Sequence, residues 1–269
     1  MNQQQTNWKS NQYSEISGIQ KNVNTELLGQ LPFKETDKVL DAGCGDGKLT
    51  FLVAKQVAKG SVWGIDSTPS MIRLCNEKLK ENPAPASFLV MNLAEIDFEN
   101  RFDLVFSNSV FHWINKPGDV LKRLYNSLKQ GGSLGIQFPL LNDRHPFKIV
   151  CHQALKNLKM ENTLQGQSFP WYVPTQGQFK ELFRNLGFET TKVYMKNTEI
   201  HFKEPRQLYK SFDAAGLDYF IGENDKITKE RFKQEVLAEI EKMKNDNGLS
   251  VSFDRIFAFG FHKTSLLYH

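Results

Sequence analysis

The chain has 269 residues, 40% of them hydrophobic, and a formal net charge of +4. That length and apolar content suffice for a sizeable core, and the mild charge gives no indication of a nucleic-acid partner. The three cysteines, Cys44, Cys75 and Cys151, have neither metal-ligand nor redox-pair spacing, so we expect no metal and a reducing compartment. The polar start and the absence of a long apolar run predict a cytoplasmic protein with no membrane span.

The N-terminal segment combines polar and aromatic residues. Its first 18 residues are rich in Asn, Gln and Ser but include Trp8 and Tyr13, so we expect this segment to fold over a bound ligand as a lid. Apolar residues recur at helical spacing from Ile19 to Leu31, and Pro32 ends the pattern. A helix is therefore predicted there, with Gln20 beside its apolar stripe.

A strand, a tight turn and a helix are predicted around Val39 to Gly47, which reads Val-Leu-Asp-Ala-Gly-Cys-Gly-Asp-Gly. Gly43, Gly45 and Gly47 place no Cβ over the first amides of the helix, so a flat or anionic ligand can lie on the main chain. The dinucleotide pattern puts its third glycine three positions after the second, unlike this turn. Asp41 would repel a pyrophosphate and suits a ligand with an ammonium or sulfonium charge.

The next two strands also end in polar residues. The strand predicted over 61–65 ends in Asp66, whose carboxylate can accept both hydroxyls of a ribose. A third strand, over 86–91, leads to Asn92. These residues fall where a nucleoside would extend from the glycine turn.

Strands and helices continue to alternate up to Phe138. A fourth strand over 102–107 leads to Asn108, and a helix over 118–128 precedes a fifth strand over 133–138. This alternation with short turns predicts a parallel sheet that is wound on both faces and binds ligands at its carboxyl edge.

The second half of the chain has a different pattern. Residues 139–174 hold four of the ten prolines and many aromatics, which predicts an insertion over the sheet edge. The elements predicted after it are a helix over 178–186, a strand pair over 189–202, a helix over 205–215, an amphipathic helix over 228–243 and a final interior strand over 251–261. We expect residues 204–248 to form a second part of the cap.

The acidic-x-Gly-x-Gly-x-Gly turn resembles the first motif of the class I S-adenosylmethionine (SAM) methyltransferases. The resemblance implies SAM as cofactor, S-adenosylhomocysteine as product, and a Rossmann-like doubly wound α/β sheet of seven strands, the last antiparallel, with an inserted, mainly helical substrate cap. Asn92 stands where the family often has Asp and can still accept from the adenine amino group. The implied cofactor-binding residues are Asp41, Gly43, Cys44, Gly45, Gly47, Asp66, Ser67, Met71, Asn92, Leu93 and Asn108.

One domain is expected from this resemblance. Its core comprises residues 34–138, 175–203 and 249–269, and its cap and lid comprise residues 1–33, 139–174 and 204–248. Further motifs are similar to the branch that includes trans-aconitate and juvenile hormone acid methyltransferases. They are Tyr13 with Gln20-Lys21, Ser107-Asn108 with His112-Trp113, Gln137-Phe138-Pro139, and Asp254-Arg255-Ile256-Phe257.

That branch methylates carboxylate oxygens, and the chemistry needs no general base because a carboxylic acid is ionised at neutral pH. Gln20 and Trp113 match the family's carboxylate-binding positions, whereas His112 is either a base or a packing group. We expect methyl ester formation on a small or apolar carboxylic acid, by a monomer or a dimer. Cationic candidates for extra carboxylates are Arg144, His145, Lys148, Arg206 and Arg255.

Other functions stay open at this point. The acceptor could be a hydroxyl, nitrogen or carbon of a small molecule, or the chain could be a non-catalytic SAM-binding partner protein. A nicotinamide dehydrogenase would leave Asp41 unexplained. An amide-methylating enzyme would carry Asn-Pro-Pro-aromatic after the fourth strand, where this chain has Asn108-Ser109-Val110-Phe111.

Overall fold

The computed structural model describes residues 21–164, 171–188, 192–246 and 248–261. The strands are β1 (Lys38–Ala42), β2 (Ser61–Asp66), β3 (Ala86–Val90), β4 (Phe102–Asn108), β5 (Leu128–Pro139), β6 (Lys192–Phe202) and β7 (Leu249–Phe261). The helices are α1 (Lys21–Gly29), α2 (Lys48–Gln56), α3 (Pro69–Glu81), α4 (Pro117–Ser127), α5 (Pro146–Asn157), α6 (Gln176–Asn185), α7 (Pro205–Ala214), α8 (Asp218–Ile221) and α9 (Lys226–Glu241). The predictions for Trp8, Tyr13 and Gln20 lie outside the described residues.

The seven strands form one sheet in the order β3-β2-β1-β4-β5-β7-β6. Strand β7 is antiparallel to both of its neighbours, and the other pairings are parallel, which confirms the predicted fold. Strand β1 lies between β2 and β4, so the strand order reverses there. The loops that follow β1 and β4 consequently flank the crevice where such sheets bind ligands.

Helix α1 is part of the core rather than a lid. Leu27, Leu28 and Leu31 are buried in the cluster on one face of the sheet. A Cβ at Gly135 of β5 would lie 2.8 Å from the Leu31 side chain, so the helix and the sheet are in close contact. Leu27, Leu28 and Leu31, which belong to the range 1–33 predicted as part of the cap and lid, therefore pack on the sheet as an apolar stripe.

Strands β6 and β7 extend beyond the carboxyl edge as a two-stranded ribbon. Strand β5 pairs with β7 only from Phe261 to Arg255, whereas β6 stays paired with β7 as far as Leu249. The described part of the predicted strand pair over 189–202 is one long strand. Its middle, around Lys196 and Asn197, is exposed and polar, which a ribbon in solvent tolerates without a break in the strand.

The cap helices pack around this ribbon. Helix α9 contacts α5, α7 and α8, while α5 also contacts β7 and α7 contacts β6. Phe232, Val236 and Ile240 of α9 are fully buried at four-residue spacing, so this helix has a single apolar stripe. The ribbon and its helices therefore lie above the edge at which β4 and β5 end.

Candidate functional site

The turn after β1 has a left-handed backbone at each of its three glycines. The φ angles are 87° at Gly43, 52° at Gly45 and 77° at Gly47, a region that other residues rarely adopt. A Cβ at Gly43 would also lie 2.4 Å from Cγ2 of Val110, in the loop after β4. Glycine at position 43 therefore allows the loops after β1 and β4 to touch.

The amides of this turn are already hydrogen-bonded within the protein. The N–H groups of Gly43 and Cys44 donate to the Ile65 carbonyl, at 2.8 and 2.9 Å. The Gly47 N–H donates to the Cys44 carbonyl at 3.0 Å, and the Gly45 N–H donates to a carboxylate of β2. The expectation that these amides are open to an anionic ligand is wrong, because the turn satisfies its own donors.

Three carboxyl groups surround the turn. Asp41 is 2% exposed and accepts from the Thr50 hydroxyl at 2.7 Å, and burial raises the pKa of its carboxyl to about 7. Asp46 is buried beside Lys78, and Asp66 completes the group. Because the donors are used and acids remain, this chemistry fits a cationic ligand such as the expected SAM and disfavours a pyrophosphate.

Asp66 bridges β2, the glycine turn and the start of α3. Its Oδ2 accepts from the Gly45 N–H at 3.0 Å, and its Oδ1 accepts from the Thr68 N–H at 2.8 Å. Each carboxylate oxygen has a second acceptor position, so the two ribose bonds expected from the sequence remain compatible with these contacts. The carboxylate is held in place before any ligand arrives.

The other predicted cofactor residues lie along the same edge. Asn92 accepts from the Ala94 N–H at 2.9 Å, so one acceptor position of its amide caps a short helical turn instead of pointing at a ligand. Ser67 is exposed, whereas Met71 and Leu93 are buried. The neighbouring Cys75 thiol, and then burial, hold the pKa of the Cys44 thiol well above its usual range.

A line of side-chain hydrogen bonds crosses the edge from α1 to β7. The Asn108 amide donates to Asn24 at 3.2 Å. In the orientation that satisfies both ends of its amide, Gln137 donates to Asn108 and accepts from Arg255 Nη1, both at 2.8 Å. Four side chains from α1, β4, β5 and β7 are thus held in one arrangement.

The backbone after β4 is strained where this line crosses it. Ser109 has a φ of 58°, which is uncommon for a residue with a Cβ, and its N–H donates to the Gln137 carbonyl at 2.7 Å. The Ser107 hydroxyl donates to the Ala42 carbonyl at 2.7 Å and ties β4 to β1. The strained turn directs the chain into the segment Phe111–Trp113.

Aromatic rings from three separate segments meet beside this turn. The His112 ring centroid lies 5.1 Å from that of Trp113 and 4.3 Å from that of Trp171, and the two indoles are 5.3 Å apart. His145 lies 5.7 Å from Trp171 and caps α5 by accepting from the Phe147 N–H at 3.2 Å. Trp113 and His112 are therefore together, as the sequence predicts, and the structure adds Trp171 and His145.

The imidazoles in this cluster are held neutral. Burial, with the nearby charge of Arg255, holds the pKa of His112 well below its usual range and lowers that of His145 to about 3. The Nδ1 atom of His112 is buried and has no hydrogen-bond partner within the described ranges. On the ribbon, hydrogen bonds from Asn197 and Asn142 lower the pKa of Asp254.

The five cationic candidates for binding extra carboxylates differ in how deeply they are buried. Arg144 pairs with Asp254 at 2.7 Å with a largely exposed side chain, Lys148 pairs with Asp143, and Arg206 is exposed. His145 and Arg255 are buried, at 4% and 2% exposure.

Sequence reasoning gave no role to Asn24, Gln137 or Trp171. Only the predicted position of Gln137 near the end of the fifth strand could have indicated that it lies at the ligand-binding edge.

Metal-ligand clusters and membrane-spanning helices are both absent from the described residues. They contain no group of three or more His, Cys, Asp or Glu residues placed to hold a metal ion. Among the helices of these ranges, none combines the length and the apolar character needed to cross a membrane.

Comparisons with known proteins agree with this geometry. A family described as a methyltransferase domain matches residues 39–132. A trans-aconitate 2-methyltransferase of Rhizobium etli is 30% identical over 262 residues, which cover 93% of this chain and 97% of that protein. A malonyl-[acyl-carrier protein] O-methyltransferase of Priestia megaterium is 31% identical over 161 residues, and the match spans 58% of each chain.

A solved structure shares the fold. Phosphoethanolamine N-methyltransferase 2 of Haemonchus contortus, in complex with phosphomonomethylethanolamine and S-adenosylhomocysteine, matches with a TM-score of 0.60 at 18% identity. The match covers 96% of this chain and 59% of that one. At this identity the likeness concerns the fold alone.

Proposed function

Because the chain belongs to the class I SAM-dependent methyltransferases, we propose that it transfers the methyl group of SAM to a carboxylate oxygen of a small carboxylic acid. SAM supplies an electrophilic methyl group on its sulfonium. In this proposal the turn from Gly43 to Gly47 and Asp66 hold the cofactor, with Asn92 and Leu93 near the adenine. Asp41 is buried beneath the turn, where it accepts from the Thr50 hydroxyl.

One observation carries the choice of a carboxylate. The two imidazoles of the aromatic cluster, His112 and His145, are both buried against Trp171, and both have a pKa below the ordinary value. A group with a lowered pKa is a poor proton acceptor, so neither imidazole suits the deprotonation of a hydroxyl or a phenol. A carboxylic acid, with a pKa of about 4, arrives already ionised and needs no base.

The protein must then orient the acceptor and exclude water. Trp113 is half-buried against Trp171 and His112, which places an indole N–H donor in the aromatic cluster. We propose that Trp113, with Gln20, orients the reacting carboxylate as a neutral donor, so that the oxygen keeps its nucleophilicity. Gln20 lies outside the described residues. The names of the two curated relatives, which refer to acids, support the same chemistry.

The test is a set of acceptors with a chemical readout. The full chain is incubated with SAM and with trans-aconitate, short dicarboxylic acids, or aliphatic and aromatic monocarboxylic acids, and S-adenosylhomocysteine release is followed. A methyl ester releases methanol at high pH, whereas methyl groups on nitrogen, carbon or an ether oxygen do not. We expect a base-labile product and a rate that stays level from about pH 6 upward. A base-stable product, or a rate that falls below a pKa near 6.5, would overturn the proposal.

Trp113→Phe tests the orientation separately. It keeps an aromatic ring and deletes the N–H, so turnover should fall roughly tenfold to a hundredfold, on the scale of one hydrogen bond to a charged group. His112→Asn should cost much less, since no base is used. If His112→Asn abolishes turnover while Trp113→Phe has no effect, the assigned roles are reversed.

A further inference from the structure

His145 presents a neutral hydrogen-bond donor beside the aromatic cluster. Its Nδ1 accepts from the Phe147 N–H at 3.2 Å at the start of α5, which assigns the ring proton to Nε2. Burial, with the charge of Arg255, lowers the pKa of the ring to about 3, so Nε2–H stays a donor at working pH. The two nitrogens point to different sides of the imidazole, and Nε2 is therefore directed away from the N–H that Nδ1 caps.

Thr198 of β6 supplies a second polar group in the same place. In register it faces Phe253 of β7, so the two side chains lie side by side on one face of the ribbon. The ring centroid of His145 lies 5.2 Å from that of Phe253. The hydroxyl and the imidazole therefore both adjoin the Phe253 ring, which is buried.

Two buried polar atoms of this region have no hydrogen-bond partner among the residues that the structure describes. They are Oγ1 of Thr198 and Nδ1 of His112. The Trp171 ring connects them, since its centroid lies 4.3 Å from that of His112 and 5.7 Å from that of His145, the neighbour of Phe253. A buried polar group without a partner destabilises the folded protein, so a bound molecule with its own polar atoms is the expected partner.

We propose that Thr198 and His145 bind an uncharged oxygen of the acceptor that is not methylated, and so select acids with a hydroxyl or carbonyl group remote from the reacting carboxylate. This assignment rests on the proposed function. The hydroxyl and the Nε2–H are two donors, and a hydroxyl or carbonyl oxygen has two lone pairs to accept from them. The pair would bind the remote end of the acceptor while Trp113 orients the reacting end.

The position of the nearby cation favours an uncharged oxygen over a second carboxylate. The guanidinium of Arg255 donates from Nη1 to Gln137, on the β5 side of β7, whereas Thr198 lies on β6, on the other side. A carboxylate between Thr198 and His145 would be a buried charge that neither neutral group balances. An uncharged oxygen carries no such cost and gains the two hydrogen bonds.

The experiment compares matched acids on the wild type and four variants. The acids are straight-chain monocarboxylic acids of six, eight and ten carbons, their counterparts with a terminal hydroxyl, and the dicarboxylic acids of the same lengths. The series varies the distance between the two ends of the acceptor. Steady-state KM and kcat are measured with SAM for Thr198→Val, Thr198→Ser, His145→Asn and Ser252→Ala. Ser252 is exposed on the other face of the ribbon and serves as the control.

At its preferred length, the wild type should have a KM at least about tenfold lower for the hydroxy acid than for the unsubstituted acid, the scale of two neutral hydrogen bonds. Thr198→Val lacks the hydroxyl, and His145→Asn keeps the helix cap but lacks the ring donor. Each should raise the KM for the hydroxy acid about threefold to tenfold and that for the unsubstituted acid less than about twofold, with little change in kcat. Thr198→Ser and Ser252→Ala should stay near the wild type.

Urea unfolding separates binding from a structural role of the hydroxyl. Thr198→Val removes a buried hydroxyl without a described partner, so this variant should be at least as stable as the wild type. A hydroxyl that mainly stabilises the fold would give a less stable variant whose KM rises equally for both acids, and that result overturns the assignment.

The wild type alone separates this assignment from the proposed function. Equal KM values for hydroxy and unsubstituted acids at every length, or a preference for the dicarboxylic acid over the hydroxy acid, overturn the site for an uncharged oxygen while leaving ester formation intact. A base-stable product overturns the proposed function itself. These measurements decide even if a variant does not fold.

Discussion

The two halves of the carboxyl edge differ in the charge of their buried side chains. After β1 and β2, buried carboxyl groups surround a turn whose amides are already satisfied, which suits a positively charged cofactor. At the ends of β4 and β5, next to the ribbon, the side chains are aromatic rings, two neutral imidazoles and a buried guanidinium. The cofactor half is therefore acidic, whereas the acceptor half is aromatic and contains one buried cation.

The two halves also differ in how rigidly they are built. The cofactor half is fixed by short main-chain bonds within one turn and by Asp66, whereas the acceptor half depends on side chains from α1, β4, β5, α5 and β7. The contact between Gly43 and Val110 joins them. The predictions below separate the halves, beginning with the largest expected effect.

Asp66→Ala should weaken S-adenosylhomocysteine binding roughly a hundredfold, because two charge-assisted bonds to the ribose, each about 1.5 kcal/mol or more, are lost. Isothermal calorimetry measures the change. Asp143→Ala, which removes an exposed carboxylate on the cap, is the matched control and should leave binding unchanged. An affinity within threefold of the wild type in Asp66→Ala would remove this residue from the cofactor site.

Gly43→Ala should affect both halves. Its φ of 87° and a Cβ placed 2.4 Å from Val110 Cγ2 should cost about 2 kcal/mol of unfolding free energy and displace the loop that carries Trp113. Urea unfolding and acceptor KM report the two effects.

The double variant Gly43→Ala/Val110→Ala tests the cause. It removes the steric clash but not the backbone strain, so it should recover part of the stability lost in Gly43→Ala. No recovery relative to Val110→Ala alone would show that the two loops are not coupled through this contact.

The same contrast explains what the sequence could predict. The glycine turn is contiguous, and alternating strands and helices are a local pattern, so the fold and the position of Asp66 beside the turn were predictable. The acceptor edge has no contiguous motif that shows its contacts, because Asn24, Gln137, Trp171 and Arg255 come from segments far apart in the chain. Their meeting depends on the strand order and on the ribbon, which local periodicity does not encode.

One wrong expectation has a physical cause of the same kind. The amides of the turn looked open because a glycine run shows no side chains, yet the Ile65 carbonyl on β2 accepts hydrogen bonds from two of them. The place of Asn92 near the adenine stays a prediction, and its side-chain oxygen also accepts from the Ala94 N–H. In both cases a tertiary neighbour or a local cap uses a group that the sequence presents as available.

His145→Asn should flatten the acid side of the stability curve. Burial lowers the pKa of His145 to about 3 from an ordinary 6.5, so below about pH 6 the unfolded chain binds a proton that the folded chain does not. The unfolding free energy that neutral His145 contributes is fully present above about pH 6. It is lost as pH falls below that value, by about 1.4 kcal/mol per pH unit. Asparagine can still cap the Phe147 N–H, so the variant removes the titration and keeps the cap.

Urea unfolding at pH 6 and pH 5 measures this slope. His112, whose pKa is also lowered by burial, adds to this slope, whereas Asp41 opposes it, because burial raises its pKa to about 7 and stability then falls as pH rises between about 4 and 7. These two contributions are the same in both proteins, so the unfolding free energy should rise from pH 5 to pH 6 by about 1 kcal/mol less in His145→Asn than in the wild type. His145→Ala should be less stable at both pH values because it also loses the cap. Equal slopes in His145→Asn and the wild type would contradict a neutral, buried His145.

Tyr194→Phe should give the smallest change in stability, confined to the packing of α1 against β6. The Tyr194 hydroxyl donates to Glu26 at 2.9 Å and accepts from Gln30 at 2.6 Å, while its ring stacks on Phe257 at 5.3 Å. Burial and Glu26 raise the pKa of this hydroxyl to about 12, so it stays protonated at working pH. Phenylalanine keeps the stack, so we expect a loss of only about 0.5–1 kcal/mol of unfolding free energy.

The loss should appear as faster hydrogen exchange in α1, because Glu26 then contacts β6 through Lys196, at 2.6 Å, and no longer through Tyr194. Tyr209→Phe, on cap helix α7, is the control and should leave exchange in α1 unchanged. Since Asn24 of the same helix bonds to Asn108, acceptor KM should rise slightly in Tyr194→Phe while cofactor affinity stays within about twofold. A larger loss of cofactor affinity than of acceptor affinity would mean that α1 serves the acidic half of the edge rather than the half that holds Arg255.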